Sequence, residues 1–164
     1  NNLGLGEKKE EKEFNITAKS SNSSFININP NTKWLRKRSE QHNTSMKGYV
    51  VEKKMVQIDT LDHYVSENQI HKIDLLKIDT QGYEDKVLKG SLETIKKNKI
   101  GIILTEIMFD DVYDKYFSFN DIEKYLLPFG FRMVGINLVN NNLFSGLLFF
   151  ADVMYFNKKY FKIK

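Results

Sequence analysis

Cysteine is absent from the 164-residue sequence, and proline occurs only twice. The missing thiols exclude disulfides, thiolate catalysis and cysteine-ligated zinc. No apolar run is long enough to span a bilayer and the N-terminus has no secretory pattern, so we expect a cytoplasmic protein. The three histidines, His42, His63 and His71, lack the spacing of metal ligands, and the sequence therefore predicts no metal site.

The residues that are present are those of one globular domain. A hydrophobic fraction of 41% in a chain of 164 residues is enough for a sizeable core. The net charge of +4, with an isoelectric point near 9.1, permits an anionic partner but does not require one.

Residues 73–84, with the sequence IDLLKIDTQGYE, carry the clearest structural pattern. The short apolar run Ile73–Ile78 is rich in branched residues, which predicts a strand buried on both faces of a parallel sheet. A turn and a helix over residues 84–89 follow, and Gly90 is suited to stop that helix. Asp79 ends the strand, where open α/β sheets bind ligands, so it is a candidate site residue. Capping of the following helix is the alternative role.

A second apolar run, Ile100–Ile107, predicts a neighbouring parallel strand. It carries Glu106 near its carboxyl end. Two adjacent parallel strands would bring Asp79 and Glu106 to the same edge of the sheet and form a polar site there. Either acid has the alternative role of a salt-bridge partner or a helix cap.

The flanking segments alternate between strand and helix patterns from residue 49 onward. This alternation predicts an α/β fold with a mostly parallel sheet. A turn-rich segment near the C-terminus predicts that the last two strands pair at a sheet edge. The predicted elements are a strand within 49–58, a helix 61–66 capped by Thr60, a helix 92–97, a helix opened by a capping box at Ser118–Asp121, strands 131–136 and 147–156, and the turn 137–142.

Residues 18–48 are polar and predict a long loop or an excursion from the sheet, of the kind that often forms a lid or binding loop. Within it, residues 33–38 have the sequence KWLRKR. A basic cluster beside an aromatic residue is compatible with contacts to bases and phosphates. Because the cluster is isolated, we favour a surface loop with Trp34 and Leu35 packed against the core, and we do not expect a nucleic-acid partner.

Residues 73–90, IDLLKIDTQGYEDKVLKG, resemble the signature of the FkbM-type methyltransferases. In that family a strand ending in Lys-Ile-Asp precedes a glycine turn and a helix with the pattern Glu…Val-Leu-Lys-Gly. The resemblance extends to the LGLG hairpin at 3–6, to Ser23-Ser24 and to QIDTLD at 57–62, and it covers nearly the whole chain.

The resemblance implies a Rossmann-like methyltransferase that uses S-adenosylmethionine to methylate a hydroxyl of a sugar, lipid or polyketide-type acceptor. It implies catalytic roles for Asp79 and Glu106, cofactor binding by the turn 79–82 (Asp79, Thr80, Gln81 and Gly82) and acceptor binding by Glu84. We add Trp34, Arg36 and Arg38 of the basic segment as candidate acceptor-binding residues. Two positions depart from the family pattern, since Gln81 replaces an acid and Tyr83 a small residue.

The family's cofactor-binding strand and its glycine turn are expected before residue 1. The resemblance therefore implies the C-terminal portion of the domain, without the N-terminal cofactor-binding half. The alternative is a non-catalytic binding or interaction module that keeps the methyltransferase-like sheet and uses the basic segment at residues 34–38.

Overall fold

The computed structural model describes residues 2–109, 112–114, 118–140 and 148–163. Strands and helices alternate along most of the chain, which confirms the α/β class. The strands are β1 (Gly4–Leu5), β2 (Glu10–Thr17), β3 (Val50–Asp59), β4 (Ile73–Ile78), β5 (Ile100–Met108), β6 (Phe131–Asn140) and β7 (Leu148–Asn157). The helices are α1 (Lys33–Gln41), α2 (Leu61–Glu67), α3 (Glu84–Lys89), α4 (Leu92–Lys96) and α5 (Phe119–Leu126).

The described strands form two mixed sheets, with the orders β1-β3-β2 and β4-β5-β7-β6. Only the β1–β3 and β4–β5 pairs are parallel. The expectation of a mostly parallel sheet is therefore wrong for these strands, because β7 runs antiparallel between β5 and β6. The predicted edge pair is confirmed, although β6 continues through residues 137–140 of the predicted turn, and residues 141–142 lie outside the described chain.

The predicted helix starts follow from their caps. The Thr60 side chain accepts a hydrogen bond from the His63 N–H at the start of α2. Ser118 and Asp121 form the reciprocal capping box that opens α5. These interactions are local, and the sequence signals were sufficient to find them.

The larger sheet buries one face more deeply than the other. Along β7, the odd-numbered residues Ala151, Val153 and Tyr155 are buried in one core with apolar residues of α2, α3, α4 and α5. The intervening Met154 is exposed and Phe156 is half-buried. The helices of this core thus cover one face, and apolar side chains remain on the other.

Strand β4 does not have the burial predicted for it. Leu75, in its centre, is 55% exposed, and Lys77 is also exposed, because β4 is the outer strand of its sheet. The expectation of burial on both faces is wrong for β4. Burial of this kind is found instead in the next strand, β5, most of whose residues are buried.

The segment 18–48 contains a helix where a loop was predicted. Helix α1 starts at Thr32, whose side chain accepts a hydrogen bond from the Leu35 N–H. Trp34 and Leu35 are buried as favoured from the sequence, in a second core that includes Tyr49 and residues at the ends of β5 and β7. The asparagines, serines and proline before Thr32 obscured the helix because they are turn formers.

Gly90 ends α3, but not through a left-handed backbone. Its φ of −73° is accessible to any residue. A Cβ at Gly90 would lie 1.9 Å from the carbonyl oxygen of Gly6, just after β1. Glycine is required here because two backbone segments approach closely.

We expect Gly90→Ala to destabilise the protein by about 2 kcal/mol or more, because the added methyl overlaps backbone that cannot move independently. Chemical unfolding measures this change. Gly135→Ala is the matched control, since the nearest atom to its added Cβ is 3.8 Å away. Equal stability of the two variants would contradict this account of Gly90.

Candidate active site

The strand register brings three carboxylates into one row across the larger sheet. Ile78 pairs with Thr105, so the residues that follow them, Asp79 and Glu106, lie side by side. Glu106 in turn pairs with Asp152 of β7. These three residues, Asp79, Glu106 and Asp152, which we call the carboxylate row, line a cavity of about 290 Å³. The structure thus brings Asp79 and Glu106 to one edge, as the two strand ends implied.

Gln81 connects two members of this row. Its Nε2 donates to Asp79 Oδ1 and to Glu106 Oε2, each at 3.0 Å. Its Oε1 accepts a hydrogen bond from the Tyr113 hydroxyl at 3.1 Å. The glutamine that departs from the family pattern therefore supplies donors between two carboxyl groups, which an acid would not do when ionised.

The turn that presents Gln81 has an unusual backbone. Gln81 and Gly82 both have positive φ, at 55° and 93°. Glu84, 2% exposed, holds the turn from behind and accepts hydrogen bonds from Thr80 N, Thr80 Oγ1 and Gly82 N. Ser24 Oγ donates to the Gln81 carbonyl at 2.7 Å. Glu84 thus shapes the turn and does not line the cavity.

Burial raises the pKa of Glu106 to about 8, and the nearby carboxylates of Glu84, Asp79 and Asp152 act in the same direction. Lys77 opposes the shift only weakly. Glu106 therefore carries a proton at neutral pH. Its carboxyl group is able to donate a hydrogen bond as well as accept one.

Asp79 has the opposite protonation state. Burial opposes its ionisation, but hydrogen bonds from Lys77 and Gln81 outweigh this effect and lower its pKa. The Lys77 Nζ lies 2.9 Å from Asp79 Oδ2. Asp79 is therefore ionised at neutral pH, beside a protonated Glu106.

Helix α1 and the short 3₁₀ turn Ser20–Asn22 line another part of the same cavity. Trp34 and Arg38, both candidate acceptor-binding residues, are among the cavity-lining side chains. Arg36 is not, and it borders a separate surface depression with Pro30 and Met46. The structure therefore places two of these three residues in the cavity that the carboxylate row also lines.

The sequence did not predict three residues of this site, namely Asp152, Tyr113 and Ser24. Asp152 had a usable signal, because it is the only charged residue in the apolar run 148–156 and strand alternation separates it from the buried odd positions. Two aromatic residues of this run, Phe149 and Tyr155, are buried. Phe149 also lines the cavity.

Replacing Gln81 with an acid tests whether a further negative charge is tolerated beside Asp79 and Glu106. We expect Gln81→Glu to lower the thermal midpoint by roughly 5 °C or more at pH 8 and by much less at pH 5. The new carboxyl group would lie against Asp79 and Glu106, so its pKa would be raised on folding. Its stability contribution is then lost as pH rises from the unfolded pKa through the folded one.

Gln69→Glu is the control for this experiment. Gln69 has the same residue type and a nearly identical φ of 52°, and it is exposed. We expect this variant to follow the parent at both pH values. A Gln81→Glu variant that behaves like it would show that charge at position 81 is not constrained.

Within the described ranges, no helix is long and apolar enough to cross a bilayer. The same residues contain no group of three or more acidic or histidine side chains arranged to hold a metal ion.

The sequence profile described as Methyltransferase FkbM domain matches residues 1–133 of the 164. Comparison with curated proteins and with solved structures gives no match. The matched region includes Asp79, Gln81 and Glu106, whereas Asp152 lies beyond it. Since the match covers well over half of the sequence and contains the turn and two of the three aligned carboxylates, the chain belongs to the FkbM methyltransferase domain family.

Proposed function

We propose that this chain is the catalytic portion of an S-adenosylmethionine-dependent O-methyltransferase that acts on a hydroxyl of a sugar, lipid or polyketide-type acceptor. The observation that carries the proposal is the pair of adjacent carboxyl groups, Asp79 and Glu106, which the Gln81 amide bridges at the ends of β4 and β5. The lowered pKa of Asp79 and the raised pKa of Glu106 support opposite protonation states for the pair. Transfer of a methyl group to a hydroxyl requires a site that orients the oxygen and accepts its proton. We also propose a cytoplasmic location, which rests on the sequence alone.

The carboxylate row suits the cationic end of the cofactor, because negative charge at Asp79 stabilises a nearby sulfonium. When bound, S-adenosylmethionine would supply an electrophilic methyl group, whose bond to sulfur would break to leave S-adenosylhomocysteine. Of the turn residues, Thr80 and Gly82 contribute by shape, since their N–H groups donate to Glu84. Gln81 contributes by holding the Asp79 carboxylate in place.

The ionised Asp79 would accept the hydrogen of the acceptor hydroxyl and take its proton as the new oxygen–carbon bond forms. Lys77 keeps Asp79 ionised before that step. The protonated Glu106 would donate a hydrogen bond to another oxygen of the acceptor and so fix its orientation.

We also propose that the complete domain is Rossmann-like and that its cofactor-binding strands add along β4. Two observations support this. Strand β4 is the outer strand of its sheet, with Leu75 more than half exposed. The register aligns Leu75 with Ile102 and Phe156 on the less covered face, whereas parallel strands are normally buried on both faces. The alternative, a non-catalytic interaction module, would keep this sheet and bind its partner through the basic segment at residues 34–38.

We expect Asp79→Asn to lower kcat about 100-fold or more in the full-length protein that contains this chain, because the amide cannot take the hydroxyl proton. Methyl transfer from radiolabelled S-adenosylmethionine to candidate acceptors measures this. Calorimetric titration with S-adenosylhomocysteine is expected to show unchanged affinity, because this product lacks the sulfonium charge that Asp79 stabilises.

Asp74→Asn is the matched control, since Asp74 lies at the other end of β4 and is paired with Lys72 and Tyr160. We expect parental activity for this variant. Retention of parental activity by Asp79→Asn would contradict the catalytic role. A folded full-length protein that binds no S-adenosylhomocysteine would favour the interaction module.

A further inference from the structure

Two side chains on the α1 side of the cavity each have a buried hydrogen-bond donor that lacks a partner among the described residues. Trp34 is 1% exposed, and its indole Nε1 has no hydrogen-bond partner among the described residues. The Nε of Arg38 is buried and unpaired within the same part of the chain. Both residues line the cavity. A buried donor left without an acceptor is costly, so a ligand whose acceptors reached these two groups through a small side-chain movement would be stabilised.

Two further donors lie on the same side. Lys19 lines the cavity, and its ammonium group has three N–H donors. Asn22 also lines it, and its Oδ1 accepts a hydrogen bond from the Tyr49 hydroxyl at 3.0 Å. This bond leaves the amide nitrogen of Asn22 as the end available to a ligand. We call Lys19, Asn22, Trp34 and Arg38 the donor wall.

The donor wall differs chemically from the carboxylate row in the same cavity. Its available groups are donors only, and Lys19 and Arg38 carry positive charge. A carboxylate or phosphate group has only acceptors and forms the stronger, charge-assisted hydrogen bonds with such donors. A neutral hydroxyl would accept hydrogen bonds from these donors without this charge assistance, and its own O–H would find no acceptor among them. The carboxylate row repels an anion, so a ligand with one anionic end would bind in a single direction.

Building on the proposed function, we propose that the methyl acceptor is an anionic hydroxyl compound of about the size of one sugar ring. Its carboxylate or phosphate binds the donor wall, and its reacting hydroxyl faces Asp79. The cavity of about 290 Å³ suits a group of this size. Phe149, Phe150 and Tyr113 also line the cavity and offer apolar surface to the ring.

Trp34 is the only tryptophan in the chain, so its fluorescence reports directly on the donor wall. We would titrate the protein with glucuronate, glucose 6-phosphate and glucose. We expect a saturable change in fluorescence with at least one anionic sugar, and binding of glucose that is weaker by about 10-fold or more. The two anionic probes distinguish a carboxylate from a phosphate ligand.

Arg38→Gln should weaken binding of the preferred anion by about 10-fold or more, because it removes a charge-assisted hydrogen bond. Arg36→Gln is the matched control on the same helix, since Arg36 does not line the cavity, and it should bind as the parent does. Lys19→Gln provides a second test that does not alter α1. Thermal midpoints establish that each variant is folded.

The inference is overturned if glucose binds as tightly as the anions, if no anion gives a saturable change, or if Arg36→Gln and Arg38→Gln weaken binding equally. The titration contains no cofactor, so it separates this inference from the proposed function. Anion binding without any methyl transfer in the full-length protein would support the donor wall and contradict the proposed activity. Methyl transfer to a neutral acceptor, without a preference for anions, would support the activity and contradict the donor wall.

Discussion

Four carboxyl groups meet where β4 and β5 end, and the repulsion among them is the constraint on which the site depends. Asp79, Glu106 and Asp152 lie in one row, with Glu84 behind the turn. Ionisation of all four in a partly buried place would be strongly unfavourable. Glu106 retains a proton, and the amide of Gln81 bridges Asp79 and Glu106. A glutamine at position 81 is therefore part of the solution to this repulsion.

The segment between β2 and β3 is hydrogen-bonded to the same site. Ser24 donates to the Gln81 carbonyl, and the Tyr113 hydroxyl contacts both Gln81 and the carbonyl of Asn22. Helix α1 packs through Trp34 against the ends of β5 and β7. The carboxylate row and the donor wall thus belong to one cavity, because the segment that carries the donors is hydrogen-bonded to the turn that carries Asp79 and Gln81.

Several features were predictable because their causes are local. The capped helices, the strand Ile73–Ile78 and the turn after Asp79 depend on residues within a few positions of one another. Helix α1 was missed because turn-forming residues surround it, although its buried Trp34 was expected. The reason for glycine at position 90 was also hidden, since the backbone that it approaches is more than eighty residues away in sequence.

The sequence by itself determined the α/β class, the candidate acids Asp79 and Glu106 and the family, since these depend on local patterns and on a contiguous motif. Tertiary structure alone decided the order and direction of the strands, and with them the position of Asp152 beside Glu106. It also decided that Trp34 and Arg38 share a cavity with these acids while Arg36 does not. The physical reason is that strand register and helix packing are set by contacts between distant segments, and those contacts determine which charges are buried together.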